Sequence, residues 1–248
     1  MARKARIDRR SMLKTSGAAV GAGLAVMSSS ARGAEKPAAG KPPVGPKTCK
    51  KHPLPKWKNS DFYDKDGKFL VDKAKDACIA LMAFHRYPVF KGMKEKLWVF
   101  DYNTGQYLKL GLAARMWVNN EKDRYMQMDL FLMPGQMLPE HYHLKTAKNP
   151  AKMEGWLIRH GLSHVVGEGE PNLPKEVVIP KCHMNGKATV YHDVICGPGD
   201  FTPLNRVTAR HWQYAGPQGA IITEVATVHD DSGVRHSDKA LNDAFLNQ

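Results

Sequence analysis

Gly135-Gln136-Met137-Leu138-Pro139-Glu140-His141-Tyr142-His143 is the stretch that decides how the rest of this 248-residue chain is read. Side chains at i and i+2 of a β-strand point to the same face, so His141 and His143 can aim at one point inside a barrel. Lys152-Met153-Glu154 follows, and after a ten-residue excursion Glu154 can return on the next strand as a carboxylate ligand. Gly161 comes next. A fourth ligand should come from a distant strand, and His211 in Pro203-Leu204-Asn205-Arg206-Val207-Thr208-Ala209-Arg210-His211-Trp212 is the best candidate. Three imidazoles and one carboxylate suit a borderline divalent cation: Mn, Fe, Co, Ni or Zn. Six-coordination would leave two positions open for water or for a substrate chelating through two oxygens. A lone His-x-His is as readily two exposed strand histidines. The glycine before it, the glutamate after it and Pro203 to His211 downstream make it a metal site.

The surroundings read as strands. Leu97–Phe100, Tyr107–Leu112, Met116–Val118 and Met126–Met133 are short runs of β-formers separated by Asn, Gly and Asp. Asn185-Gly186 lies between Val177–Met184 and Ala188–Cys196, which is the strongest hairpin signal in the chain. Gly197-Pro198-Gly199-Asp200 is a turn, and Ala220–Val228 is a buried strand. Helical spacing of Val71, Ala74, Ala77, Cys78, Leu81 and Met82 predicts one amphipathic helix over Val71–Phe84, ended by Tyr87-Pro88. A last helical turn is expected at Lys239–Phe245. Asp64-Lys65-Asp66-Gly67 lacks the later acidic ligands of a calcium loop and is a turn. The fold class is therefore all-β, a barrel or sandwich with an N-terminal helix and an extended arm.

Composition excludes several classes. Hydrophobic residues at 42% and charged residues at 25% are the balance of a folded chain. No stretch reaches the roughly 18 apolar residues of a membrane span. Residues 1–33 read as an export leader. A basic start runs into Arg9-Arg10-Ser11-Met12-Leu13-Lys14, then a weakly apolar Gly17–Met27, with small residues set for cleavage after Gly33. The paired arginines resemble a twin-arginine signal, which sends folded proteins to the periplasm. The formal charge of +13 falls to +7 without the leader, with 30 basic and 23 acidic residues left. The remaining lysines are dispersed, so no nucleic-acid partner is expected. Residues 34–58 hold six prolines among lysines and read as a linker or arm. Residues 59–96 form a helical extension and residues 97–248 the barrel with a C-terminal extension. Cys49, Cys78, Cys182 and Cys196 carry no assigned bridge.

Gly135, His141, His143, Glu154 and Gly161 resemble the first cupin motif, with a longer insertion before the glutamate than most cupins have. Gly199, Pro203 and His211 resemble the second, although Asn205 stands where a glycine is usual. Within cupins the chain is similar to the D-lyxose isomerase family, through Pro139–His143, Lys152–Glu154, Arg210-His211-Trp212 and Gly219–Glu224. Asp66-Gly67-Lys68 and Trp98-Val99-Phe100-Asp101 look like that family's N-terminal part. The resemblance runs from about Phe62 to Asp231 and implies a cupin (jelly-roll) β-barrel and, as cupins often form, a homodimer. It implies one divalent metal, manganese first, and an aldose–ketose isomerase acting on D-lyxose/D-xylulose or D-mannose/D-fructose. The implied chemistry moves a proton between C2 and C1 of a metal-chelated open-chain sugar through an enediol.

Two residues are candidates for the base. Lys152 shares a strand face with Glu154, where a nearby cation and burial would lower its pKa; otherwise it is a solvent-exposed loop lysine. Glu224 lies in the apolar run Ile221-Ile222-Thr223-Glu224-Val225, as rival or partner, or as an outward-facing strand carboxylate. Trp156, Trp212 and Tyr214 either stack on a sugar or pack the barrel. His160 and His164 read as strand residues, His183 and His192 as exposed strand residues, and His85, His229 and His236 show no partner pattern. Two other functions fit the same ligands, a cupin-type metal dioxygenase and a non-catalytic exported sugar-binding cupin.

Overall fold

The computed structural model describes residues 53–246; the leader read at 1–33, Cys49 and most of the arm read at 34–58 lie outside the described residues. The strands are β1 (Trp98–Phe100), β2 (Leu112–Asn120), β3 (Tyr125–Leu132), β4 (Met137–His143), β5 (Glu154–Gly167), β6 (His192–Cys196), β7 (Phe201–Pro203), β8 (His211–Ala226) and β9 (Val234–His236). Among the described residues they form one curled sheet in the order β1-β2-β3-β8-β4-β9, while β5 pairs with β6, β7 and β8. This is the all-β class that the sequence predicts. No helix among the described residues is long and apolar enough to cross a membrane.

Strand β8 organises the sheet. Its first residues pair with β4 and Ala220–Ala226 pair with β3, while β5 runs antiparallel along the same strand from Trp212 to Ala226. Strands β4 and β3 thus take different lengths of β8, and β5 shifts register twice along it. Gly161 on β5 lies beside β8 at Ala220, between two register shifts, with φ +74°, and Gly219 has φ +73°. A Cβ on Gly161 would sit 2.0 Å from the Gly219 carbonyl oxygen, so the two strands approach as only glycine permits.

Alternation along β3 then divides two cores. Met126, Met128, Leu130 and Leu132 pack inside the curl with Trp156, Ile158 and Ile222. Phe131 and Met133 point the other way, with Ile221 and Ala113, onto a helix. That helix is α1 (Val71–His85), whose Ala74, Ala77, Cys78, Leu81 and Met82 are buried at the predicted spacing. It ends at Arg86, in the left-handed region with φ 57°, just before Tyr87-Pro88. Two short helices follow elsewhere, α2 (Met93–Lys96) and α3 (Lys239–Leu246).

Two expectations fail. Tyr107–Lys109 is a turn, not the start of a strand. Buried Tyr107 packs against Phe62 and Phe69, and its carbonyl accepts from the Gln136 side-chain amide, so tertiary packing overrides the β-forming composition. The Asn185-Gly186 turn exists, with φ 56° and 82°, but it joins no hairpin. Pro180 carries no N–H for a ladder, Asp238 captures the Met184 amide at 2.8 Å, and β6 pairs with β5 instead. The loop is tied down at Glu140, which accepts from the Thr189 amide at 2.7 Å, the Val190 amide at 3.2 Å and the Ser237 hydroxyl. Cys78, Cys182 and Cys196 are free thiols.

Candidate active site

The interior of the curl collects His141, His143, Glu154 and His211, whose ligand atoms all lie within 4.8 Å of one another. Each arrives by a separate local device. His141 and His143 alternate on β4, where a register shift between Leu138 and His141 absorbs Pro139. His211 opens β8 directly across from His141. Glu154 opens β5, held by its own carbonyl accepting from Leu204 and by the reciprocal Met153–Thr227 bonds one residue earlier.

The distances describe a ligand set. His211 Nε2 lies 3.1 Å from His141 Nε2, and Glu154 Oε1 lies 3.0 Å from the Nε2 atoms of both His143 and His211. His143 Nε2 and Glu154 Oε1 nevertheless make no well-formed hydrogen bond, since the atoms are close without the angles of a bond, while Glu154 Oε2 is ion-paired with Lys152. Buried polar atoms converging on one point without bonding one another are what a shared cation would satisfy. Outward, His141 Nδ1 donates to the Pro139 carbonyl at 2.9 Å and His211 Nδ1 to that of Ala209 at 3.0 Å. Each bond fixes the tautomer that leaves Nε2 with its lone pair facing inward. The residues fit a divalent metal.

Charge is preset for that role. Burial, then the neighbouring histidines, hold His141 well below the ordinary imidazole range; burial also pulls His143 down to about 4. Burial alone would push Glu154 up, but the charges of His143, Lys152 and His211 outweigh it and keep the carboxylate ionised. His211 is shifted upward because Glu154 overcomes its burial.

Lys152 is buried, so the loop alternative falls. Its ammonium lies 2.7 Å from Glu154 Oε2 and donates to Glu224 Oε1. The carboxylates beside it oppose the lowering that burial brings. Burial does act against the charge, but two carboxylates face it and push it up to about 12. Glu224 is inward-facing and buried, and its pKa is raised by burial and by Glu154 against the pull of Lys152. The Trp156 indole approaches its other oxygen at 3.4 Å. Trp156 and Trp212 are core residues, Trp212 donating to the Val190 carbonyl at 3.0 Å, and Tyr214 is only partly buried.

The remaining histidines divide. His164 of β5 and Asp193 of β6 form a buried hydrogen-bonded pair at 2.8 Å. His183 is fully buried, contrary to the exposed strand position expected, because its loop folds inward rather than into a hairpin. His192 is partly buried and bonds the Glu170 carbonyl. The sequence reading missed His236, which lies across from His141 on β9 and lines the same cavity as Lys152 and Glu224. His229, Trp98 and Phe245 line it too. A three-residue strand offers almost no periodicity, and the one available sign was the alternation of Val234, Arg235 and His236.

No family model matches the chain. A D-lyxose ketol-isomerase of Cohnella laeviribosi is 33% identical over 137 residues, covering 55% of this chain and 73% of the relative. A D-lyxose/D-mannose isomerase of Thermosediminibacter oceani is 34% identical over 138 residues, 56% of this chain and 74% of the relative. A D-lyxose ketol-isomerase of a Thermofilum species is 30% identical over 160 residues, 64% and 87% respectively. Among solved structures, the Cellulomonas parahominis L-ribose isomerase with L-psicose superimposes with a TM-score of 0.55 at 15% identity. It covers 75% of this chain and 97% of its own, which shows a shared cupin fold.

Proposed function

From its membership of the D-lyxose isomerase family, within the cupins, the chain is a sugar isomerase, and we propose that it interconverts D-lyxose and D-xylulose with a bound divalent metal, manganese first. D-mannose/D-fructose is the second pair. The dioxygenase and the non-catalytic readings give way to that membership. The observation that carries the proposal is the buried Lys152–Glu224 pair set against the His141, His143, Glu154 and His211 cluster.

His141, His143, Glu154 and His211 would hold the cation, which would supply Lewis acidity toward an open-chain sugar. The chain's own groups then divide the proton work. Glu224, made more basic by burial, takes the C2 proton at a carboxylate oxygen and returns it to C1, two neighbouring carbons within reach of one group. Lys152, charged between Glu154 and Glu224, gives an ammonium proton to O1 as that oxygen gains negative charge and recovers one from the O2 hydroxyl, so that one proton moves from O2 to O1 as another moves from C2 to C1. The apolar wall of Leu112, Met128, Leu130 and Leu138 keeps water from the transferred proton.

The test is turnover and metal content of Glu224→Gln and Lys152→Met, measured separately. Glu224→Gln should keep its metal and lose about 10²- to 10⁴-fold in kcat. Near-normal isomerisation in both variants, with metal retained, removes both residues from the chemistry.

A further inference from the structure

A sugar brings more hydroxyls into this cavity than the reacting C1–C2 edge uses. Each one buried without a partner keeps its full desolvation penalty. Most of the wall away from the four ligands, Lys152 and Glu224 is apolar. Two further imidazoles reach it, His229 and His236. His229 is already engaged, its Nε2 lying 2.8 Å from Asp231 Oδ1.

His236 differs. It is 4% exposed, and neither Nδ1 nor Nε2 makes a well-formed hydrogen bond, although the Glu140 backbone lies close to the ring. Its place is fixed by other means. Its backbone amide donates to Asn242 Oδ1 at 2.7 Å, and the Asn242 side-chain amide donates to the His236 carbonyl at 2.8 Å, so one asparagine of α3 clamps both backbone groups. Tyr102 and Phe245 hold the ring edge to face, with centroids 5.1 and 5.5 Å away. The register of β9 on β4 sets it beside His141, 5.8 Å between centroids. A buried ring fixed by its backbone and its aromatic neighbours, lining the cavity with nitrogens that lack a well-formed bond, is preorganised for a ligand. A neutral imidazole offers one donor and one acceptor, which matches a hydroxyl.

We propose that His236 is a substrate-positioning residue that receives one hydroxyl of the sugar beyond C2. This rests on the isomerase reading and deepens it, because the hydroxyl it selects sets which aldose fits. An aldose lacking that hydroxyl would leave His236 buried and unpaired, the condition under which a site discriminates most strongly.

The experiment compares wild type, His236→Phe and His236→Gln on D-lyxose and on its 3-, 4- and 5-deoxy analogues. Phe keeps a ring between Tyr102 and Phe245 but removes the nitrogens, and Gln restores a donor and an acceptor. KM for D-lyxose should rise about tenfold or more in His236→Phe with kcat changed far less, and His236→Gln should recover part of the loss. One deoxy analogue should be handled alike by wild type and His236→Phe, because it lacks the group His236 holds. Bound metal should be equal in all three proteins. An unchanged KM, or an equal loss on D-lyxose and all three analogues, leaves His236 a packing residue and overturns the proposal. Should His236→Phe not fold, the same comparison with His236→Gln decides, since a misplaced amide must still alter selectivity among the analogues. Wild-type protein that makes no ketose from D-lyxose overturns the isomerase reading together with this one, whereas active wild type with an indifferent variant overturns this one alone.

Discussion

His143 shows how far single residues could be read. Its ring reaches the cluster because it alternates with His141, which any strand would impose, and its nitrogen stays unbonded 3.0 Å from Glu154. Loss of an outer partner of a metal ligand typically weakens binding 10- to 100-fold, so His143→Ala should lose more than about 100-fold in metal affinity. Metal analysis after equilibrium dialysis checks this; full occupancy would remove His143 from the site. The four ligands were legible because strand period and two spaced motifs place them. The surroundings of Lys152 were only half legible, because Glu224, 72 residues away, joins Glu154 on the same ammonium. His236 was hidden for a related reason: what makes it functional is the lack of partners, and a sequence does not print that.

At the scale of elements, the glycines at the bend are the sharpest test of how β5 and β8 cross. Gly161→Ala adds a Cβ 2.0 Å from the Gly219 carbonyl and asks alanine to hold φ +74°. Stability should fall by about 3 kcal/mol or more, read as a shift in the denaturant midpoint, and unchanged stability would show the strands less closely apposed. The turn before β9 makes a pH prediction. Asp230 accepts from the Ser232 hydroxyl at 2.6 Å, Asn149 at 3.0 Å and Thr146 at 2.7 Å, and these bonds hold its carboxyl well below the usual carboxylate range. A depressed pKa contributes stability that is complete above the unfolded value, near pH 4, and is lost as pH falls toward the folded one. Asp230→Asn should therefore be less stable than wild type at pH 7, with the gap narrowing at pH 3. A gap that stays constant or widens contradicts the assignment. Element types were legible wherever periodicity ran long, as in α1 and β3. The Asn185-Gly186 hairpin failed because a correct turn signal says nothing about whether its two arms will find each other.

For the whole molecule, α1 packs on one face of the curled sheet and leaves the other face to line a cavity whose polar groups converge at one end. That division follows from alternation on β3, and it is why a chain with few helices can bury a lysine, two glutamates and several histidines together. The family relation makes the chain a sugar isomerase, and the proposed reaction in that interior uses a cation and no oxidant. The most direct measurement is ketose formation from D-lyxose under strictly anaerobic conditions, using protein stripped by chelator and then restored with manganese. Expected are near-zero turnover in the stripped protein, recovery at about one metal per chain, and full activity without oxygen. Ketose formation indifferent to the metal, or turnover that appears only when oxygen is admitted, contradicts the reaction assigned here.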